Sequence, residues 1–335
     1  AGADRFLSHE KEVPVPDMTA PLKMGVNFWN QYSDWDSFLA AQQRADRLGF
    51  DSLWTWDHVY PIVGSHEGPI FDGYTAMSAV ATTTERATVG LLVGANTFRN
   101  PALVAKMVTT IDHISKGRAV LGIGAAWFET EHTGFGFEFG DRPGTRLRWL
   151  REALPILRGM LDGTRPTAEG PRYRTQQALN LPVPVQERIP LLIGGSGPKV
   201  TLRLVAEHAD MNNIGRSPDT FREKEATLVA HCEAVGRDEK EIERTMGAGT
   251  PFIRDSKEEA FTVMADVFAD NGDAKTWTGM PIGTVEDVVE AVKPYLDAGY
   301  RHLIFGIPAP YDEETMNRLA TEVRPELEAY LAERS

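Results

Sequence analysis

The chain has 335 residues, of which 42% are apolar and 25% are charged, and its formal net charge is −13. This length and composition suit one large α/β domain or two average domains, each with a sizeable core. The acidic balance, without any block rich in Lys or Arg, makes nucleic acid and anionic membrane surfaces poor partners.

The single cysteine and the N-terminal residues indicate the cellular compartment in which the protein is expected. Cys232 lies in a helical pattern, and a lone cysteine excludes a disulfide within the chain. Residues 1–20 are charged and interrupted by prolines, without the apolar run of a signal peptide or membrane anchor. We expect an extended tail over these residues and a cytoplasmic protein.

After the tail, short apolar segments alternate with helical segments. In chain order the predicted strands are KMGVNFW, DSLWTW, ATVGLLVGA, RAVLGIGAA, IPLLIGG, DMNNI, TMGAGTPFI and RHLIFGIP. The predicted helices are DSFLAAQQRADRLGF, GYTAMSAVATTT, NPALVAKMVTTIDHIS, TRLRWLREALPILRGML, GPKVTLRLVAEHA, DTFREKEATLVAHCEAVG, SKEEAFTVMADVFAD, TVEDVVEAVKPYLDAG and DEETMNRLATEVRPELEAYLAE. Strands that are apolar almost throughout are typical of a buried parallel sheet.

Eight strand–helix repeats without a Gly/Ser-rich linker favour a single closed (β/α)8 TIM barrel over residues 21–335. An open doubly wound sheet is the alternative. Residues 125–145 and 163–188 interrupt the alternation, and we interpret them as insertions rather than domain boundaries.

The active site of such a barrel lies at the carboxyl ends of its strands. The strand ends are rich in Gly, Asn and aromatic residues and poor in paired ionisable groups, which suits a flat conjugated ligand that brings its own chemistry. Trp54, Trp56, Trp127 and Phe128 either sandwich such a ring or pack in the core. The candidate residues are Asn27, Phe28, Trp56, Asp57, His58, Val93 to Asn96, Gly124 to Glu129, Gly194 to Gly197, Asn212, Asn213, Gly249, Thr250 and Gly306.

Several catalytic and binding motifs are absent. Gly194-Gly195-Ser196-Gly197-Pro198 matches neither the G-x-S-x-G nucleophile elbow nor, with Val200 after it, the G-x-G-x-x-G dinucleotide motif. There is no Walker A sequence, and the eight histidines do not cluster as metal ligands. We expect no metal.

A barrel glycosidase is an alternative class of enzyme. Glu129 and Glu131 follow the fourth strand, but a glycosidase needs a second carboxylate about 5–9 Å away across the pocket. The seventh strand offers no acid before Asp255. This alternative is rejected, and Glu129 is interpreted as a hydrogen-bonding or solvated loop residue.

His58 follows Asp57 directly at the end of the second strand, which places it at the barrel mouth. Its unperturbed pKa near 6.5 suits a donor or base beside a bound ring at neutral pH. The other interpretation is a capping or core histidine.

At these residues the chain resembles the bacterial luciferase-like superfamily. The resemblance runs from about Leu22 to Leu331, and three blocks carry it: LWTWDHV, VGLLVGANTFRNPALVAKMVTTIDHISKGRAVLGIGAAWFETEH and LLIGGSGPKVTLRLVAEHAD. DHV together with GAAWFETEH is most similar to the branch of oxidoreductases that use coenzyme F420, a 5-deazaflavin.

The resemblance implies a (β/α)8 barrel that binds the ring at its mouth, with F420 as cofactor and FMN as the alternative. It assigns Asp57 and His58 as the catalytic pair beside the ring, and it places a non-prolyl cis peptide at Leu92–Val93 behind the ring. The cofactor-binding residues it implies are Asn27, Trp56, Asp57, His58, Leu92, Val93, Asn96, Gly124, Ala125, Glu129, Gly194, Gly195, Ser196 and Gly197.

The stretch GGSGPKV then becomes a nest of backbone amides at a helix N-terminus, where Ser196 and Lys199 help to bind the phosphate of the cofactor. The sequence departs from the sugar-phosphate dehydrogenases of the family, since Trp127 stands where they have a glutamate and the strand ends lack a matching set of basic residues. We therefore expect an apolar or conjugated substrate.

The function expected is hydride transfer between C5 of F420 and a small organic substrate. One alternative is an FMN-dependent monooxygenase that uses reduced flavin and oxygen, and another is a carrier or sensor without turnover. The resemblance also implies a homodimer, and a separate F420 or flavin reductase as a partner.

Overall fold

A computed structural model of the chain describes residues 20–214, 218–271 and 281–334. Nearly all of the predicted N-terminal tail, residues 1–19, therefore lies outside the described residues.

Eight parallel strands form the centre of the molecule. Each strand pairs with the next along the chain, and the eighth pairs with the first, so that the sheet closes into a barrel. The predicted (β/α)8 fold is thereby confirmed, and the open sheet is excluded. The strands are β1 (Lys23–Phe28), β2 (Ser52–Thr55), β3 (Thr88–Leu91), β4 (Ala119–Gly124), β5 (Leu191–Gly194), β6 (Met211–Asn213), β7 (Glu243–Gly247) and β8 (His302–Ile307).

Helices cover the outside of the barrel, and their ends use the expected signals. Asp34 caps the first helix through Ser37 N–H, and Gly49 ends it in the left-handed region. The helices are α1 (Trp35–Leu48), α2 (Gly73–Thr83), α3 (Pro101–Ser115), α4 (Glu129–Phe135), α5 (Pro143–Leu161), α6 (Thr201–His208), α7 (Pro218–Val235), α8 (Lys257–Asn271), α9 (Val285–Asp297), α10 (Glu313–Arg318) and α11 (Arg324–Ala332). In the described part of the chain, no helix is both long and apolar enough to cross a bilayer.

The structure differs from the predicted elements at five places. Within 125–145 it forms α4, and within 163–188 a short antiparallel pair. The predicted seventh strand is split, since Phe252–Ile253 leaves β7 and pairs with Ile282–Gly283. Finally, α6 starts four residues after the predicted start, and a π-turn over Leu319–Val323 interrupts the last helix.

The lower part of the barrel interior is polar. His302 bonds Glu243 through Nδ1 at 2.6 Å and Ser52 Oγ through Nε2 at 2.7 Å. Lys23 donates to the other oxygen of Glu243, and Trp54 Nε1 donates to Ser52.

Above this network lies an apolar layer, and above that layer the strands present glycines. Trp54, Val120, Leu192, Met211 and Ile304 pack together in the middle of the barrel, and Leu92 and Val93 pack on them. Side chains alternate between the two faces of a strand, so the next inward positions lie two residues further along, where three strands carry Gly122, Gly194 and Gly306. A further glycine, Gly247, ends β7. The barrel therefore has a closed lower half and an open mouth.

Candidate active site

The floor of the mouth is built around Val93. The Leu92–Val93 peptide is cis, as the resemblance implied. After it the chain resumes pairing with β4, where Gly94 lies opposite Ile123. A Cβ atom on Gly124 or Gly194 would lie only 2.8 or 2.9 Å from Val93 Cγ2. Val93 thus occupies the space that side chains on β4 and β5 would fill, and leaves a low, apolar floor.

One side of the mouth is open and polar. A Cβ atom on Gly247 would have no described atom within 4 Å. Asn27 is 8% exposed and lies opposite Gly306 in the sheet, and among the described residues its buried Oδ1 has no hydrogen-bond partner. Asn213 Nδ2 donates to Thr245 Oγ1 at 2.9 Å. A flat ligand with polar edges would supply the partner that Asn27 lacks.

His58 is held by a carboxylate that was not among the predicted site residues. Its Nδ1 lies 2.9 Å from Glu131 Oε1, and Glu131 Oε2 accepts a hydrogen bond from Val59 N–H at 2.9 Å. The Glu131 side chain is 1% exposed and that of His58 is 16% exposed. Since Glu131 occupies Nδ1, Nε2 is the nitrogen left for a ligand.

Aromatic side chains surround this imidazole. His58 meets Trp127 and Phe128 edge-on at 5.6 and 6.2 Å between ring centroids, and it meets Trp56 at 6.4 Å. Trp56 itself packs on Trp29 at 4.9 Å. Trp127 stacks on Phe128 and is 62% exposed, so it lines the mouth, whereas Trp54 packs in the barrel interior.

The Asp57 carboxylate lies against the segment after β3. It accepts from Ala95 N–H at 2.8 Å and from Arg99 Nη1 at 2.9 and 2.8 Å. Arg99 also donates to Asp72. Burial raises the pKa of Asp57 to about 6, against the opposing charge of Arg99. In this structure Asp57 faces Arg99, and Glu131 holds His58.

The predicted phosphate loop lies between β5 and α6. Gly195 has φ of +119°, which favours glycine, and its N–H donates to Asn213 O. Val200, at the N-cap of α6, makes no side-chain capping bond in the described structure. Gly197 and Lys199 are exposed and Ser196 is partly exposed, so solvent reaches this turn. Uncapped amides at a helix start are suited to an anion.

The remaining predicted residues differ in what they contact. Asn96 is buried, and its backbone bonds Gly124 O and the Tyr173 hydroxyl. Ala125 packs against the main core, and Glu129 is exposed. Two of the wider candidates face away from the mouth: Phe28 packs in the main core, and Asn212 Nδ2 donates to Ile193 O and Gly195 O.

A cavity of about 920 Å³ lies between the loop after β2 and α4. Its lining includes two carboxylates, and none of its described lining residues is Lys or Arg. The lining residues are Val59, Tyr60, His66, Glu67, Gly68, Pro69, Ile70, Glu129, Thr130, Thr133 and Gly134.

Sequence reasoning missed Glu131, Arg99 and Gly247 as site residues. Glu131 and Arg99 lie inside the quoted family block, which was a signal for both. Gly247 ends β7 at an inward-facing position, which was a weaker signal. Within the described ranges, no group of three His, Cys, Asp or Glu residues is arranged to hold a metal ion.

The chain is similar in sequence or in fold to several known proteins. Over 338 residues the chain is 27% identical to an F420-dependent glucose-6-phosphate dehydrogenase of Microbacterium testaceum, covering 92% of this chain and 98% of the relative. An F420-dependent secondary alcohol dehydrogenase, solved with an F420-acetone adduct, has the same fold, with a TM-score of 0.78, 20% identity and coverage of 91% and 99%. The monooxygenase RslO1 of Streptomyces bottropensis has a TM-score of 0.75, 20% identity and coverage of 91% and 100%.

The family of the chain follows from a match to a family model. The model described as luciferase-like monooxygenase matches residues 22–274, which is most of the chain. The chain therefore belongs to the luciferase-like monooxygenase family.

Proposed function

We propose that the protein is an F420-dependent oxidoreductase that transfers a hydride between the cofactor and an organic substrate. The strongest support is the floor at Val93, where glycines on the neighbouring strands leave room for a flat ring. The predicted cofactor agrees with the names of F420-dependent relatives. When bound, the deazaflavin supplies a carbon at position 5 that gives or accepts a hydride and reacts poorly with oxygen.

The residues around the mouth fit such a ring. Leu92 and Val93 would support one face, and Trp56 would flank it. Asn27 would pair its buried Oδ1 with a polar edge. The turn Gly194-Gly195-Ser196-Gly197 would bind the cofactor phosphate, with Asn96, Gly124 and Ala125 forming the wall between the turn and the floor.

His58 would exchange a proton with the substrate through Nε2, because Nδ1 is engaged by Glu131. Asp57 would support the floor indirectly, since it holds Ala95, two residues after Val93. Trp127 would help to keep water from the reacting atoms. Of the predicted pair, His58 would therefore touch the substrate and Asp57 would position the backbone.

The expected substrate is apolar or conjugated rather than a sugar phosphate. We assign the substrate to the cavity between the loop after β2 and α4, whose described lining residues include Glu67 and Glu129 and no Lys or Arg. Two carboxylates repel a dianionic phosphate at close range. Glucose 6-phosphate, which the names of the curated relatives give as their substrate, would therefore fit this cavity poorly.

Anaerobic titration tests the proposal. We expect oxidised F420 to bind at micromolar concentration or tighter and FMN to bind much more weakly, followed through absorbance and fluorescence. A screen of alcohols and conjugated carbonyl compounds should then give bleaching or recovery of the F420 absorbance. Tight FMN binding with oxygen uptake would support the monooxygenase instead, and F420 binding without turnover of any compound would support a carrier.

We also propose a homodimer of single-domain subunits spanning residues 21–335. The extended segment 179–186 is tied to α3, where Lys106 Nζ donates to Leu181 O and Asn180 Nδ2 donates to Thr109 Oγ1. Leu179, Leu181, Val183 and Val185 on this segment are exposed, and the segment carries no charge. Two copies with net charge −13 repel one another, so an uncharged apolar strip is the surface on which they can associate.

Two further expectations accompany this function. A separate reductase would return the cofactor to the form that the reaction consumes. A cytoplasmic location agrees with the single buried thiol of Cys232.

A further inference from the structure

We infer that Glu131 is a positioning residue that sets the tautomer of His58, so that Nε2 is the nitrogen that exchanges the proton. The inference rests on the proposed function for its catalytic consequence, but its structural part concerns the protein alone. The two carboxylate oxygens hold the imidazole at Nδ1 and the next backbone amide at Val59. One buried side chain thus fixes both the ring and the loop that carries it.

The chemistry follows from the single N–H of a neutral imidazole. A carboxylate beside Nδ1 can only accept a hydrogen bond there, so the proton lies on Nδ1 and Nε2 keeps its lone pair. Glu131 stands in the first turn of α4, and its side chain is 1% exposed. The same negative charge stabilises the imidazolium that forms when Nε2 takes a proton.

The other charged groups near His58 do not compete for this role. Asp57 precedes it in the chain but faces Arg99. His132, which follows Glu131 on α4, bonds Thr97 Oγ1 through Nε2 and Phe128 O through Nδ1. The ring contacts of His58 are with Trp56, Trp127 and Phe128, which carry no charge.

Nitrogen-15 NMR of the cofactor-free protein, with labelled histidine, tests the structural part. At a pH where His58 is neutral, we expect the Nδ1–H tautomer in the parent protein and a mixture of tautomers in Glu131→Gln. Glu129→Gln, a change two residues away in the same helical turn, is the matched control and should leave the tautomer unchanged. A parent protein with the Nε2–H tautomer would overturn the inference.

The kinetic part is measured in the F420-loaded enzyme as single-turnover hydride transfer against pH. In E131Q we expect the rate to fall about 10- to 100-fold, with F420 affinity within about twofold of the parent. Glu131→Asp, which keeps a carboxylate beside Nδ1, should recover part of the rate that Glu131→Gln loses. An unchanged rate, with E131Q folded and binding F420, would contradict the positioning role.

The two proposals fail in distinguishable ways. If the protein binds no F420, the proposed function is wrong, but the NMR result still decides whether Glu131 sets the tautomer. If F420 binds and turns over while the tautomer is unaffected by Glu131→Gln, the positioning role alone is wrong.

Discussion

Asp57 and Arg99 form a buried ion pair that joins the loop after β2 to the segment after β3. Arg99 Nη1 reaches both carboxylate oxygens of Asp57, at 2.8 and 2.9 Å, and Ala95 N–H donates to one of them. The floor residue Val93 lies two positions before Ala95. The ion pair therefore acts on the candidate site through the backbone of the floor.

Replacing Arg99 with Leu leaves the Asp57 carboxylate buried without its main counter-charge. We expect a loss of about 3–5 kcal/mol in unfolding free energy at pH 7. Burial already raises the pKa of Asp57 to about 6, above its unfolded value of 3.8, so ionisation destabilises the folded state as pH rises through this range. The variant should regain stability when the pH is lowered from 7 to 5.

Urea unfolding at both pH values measures this effect. The control is Arg188→Leu, which removes a half-exposed partner of Asp210 and should cost less than about 1 kcal/mol. An equal loss at pH 7 and pH 5 in Arg99→Leu would show that the charge of Asp57 is not the cause.

The contact between Val93 and Gly194 predicts a non-additive pair of substitutions. Gly194→Ala places a methyl group about 2.9 Å from Val93 Cγ2, and we expect a cost of about 1–3 kcal/mol. Val93→Ala removes the atoms that are crowded, so the double variant should be more stable than the sum of the single changes predicts. A double-mutant cycle in urea tests this, and simple additivity would contradict the contact.

Gly247 offers a way to block the mouth without disturbing the fold. A series from Ala through Val to Leu extends a side chain into space that holds no described atom within 4 Å. Melting temperature should stay within about 2 °C for Gly247→Ala, while F420 affinity falls through the series and is lost by about tenfold or more at Leu. Unchanged F420 binding in Gly247→Leu would place the ring elsewhere.

The lowered pKa of Glu243, in the lower barrel, predicts that the protein loses stability in acid. Burial by itself raises the pKa of Glu243, but the bonds from His302 and Lys23 outweigh it and hold the pKa at about 2. The folded pKa is below the unfolded value of 4.5, so the stabilisation is complete above pH 4.5 and is lost as pH falls towards 2. Because the side chain is 32% exposed, the effect is about 1–3 kcal/mol.

Glu243→Gln should therefore be less stable than the parent at pH 7, and the difference should shrink as the pH falls below 4.5. Urea unfolding at pH 7 and pH 3.5 measures it. A difference that stays constant with pH would assign the loss to packing rather than to charge.

Charges placed on the strip 179–186 should separate the proposed dimer. We expect the parent protein to sediment as a dimer at micromolar concentration and Leu181→Glu/Val183→Glu as a folded monomer. Phe261→Glu, at an exposed apolar residue on α8, is the matched control and should stay dimeric. A monomeric parent protein would overturn the proposed assembly.

Much of the fold was predictable because it depends on local pattern. Most of the eight strands are rich in apolar residues, since their outer faces pack on helices, and each strand was identified within a few residues. The helix α4 was missed because its buried side chains are Glu131 and His132, so it shows no apolar periodicity. The cis bond at Leu92–Val93 was predicted only through the resemblance, as local pattern does not indicate it.

The sequence by itself determined the closed barrel, the strand ends that surround its mouth and the family of the chain, because these follow from the order of apolar strands and from specific motifs. Only the tertiary structure decided which carboxylate pairs with which basic side chain. Asp57 is adjacent to His58 in the chain, yet Glu131, 73 positions away, holds the imidazole and Arg99 takes Asp57. The reason is that side-chain pairing depends on distance and direction in space, and closure of the barrel brings together segments that are far apart in the sequence.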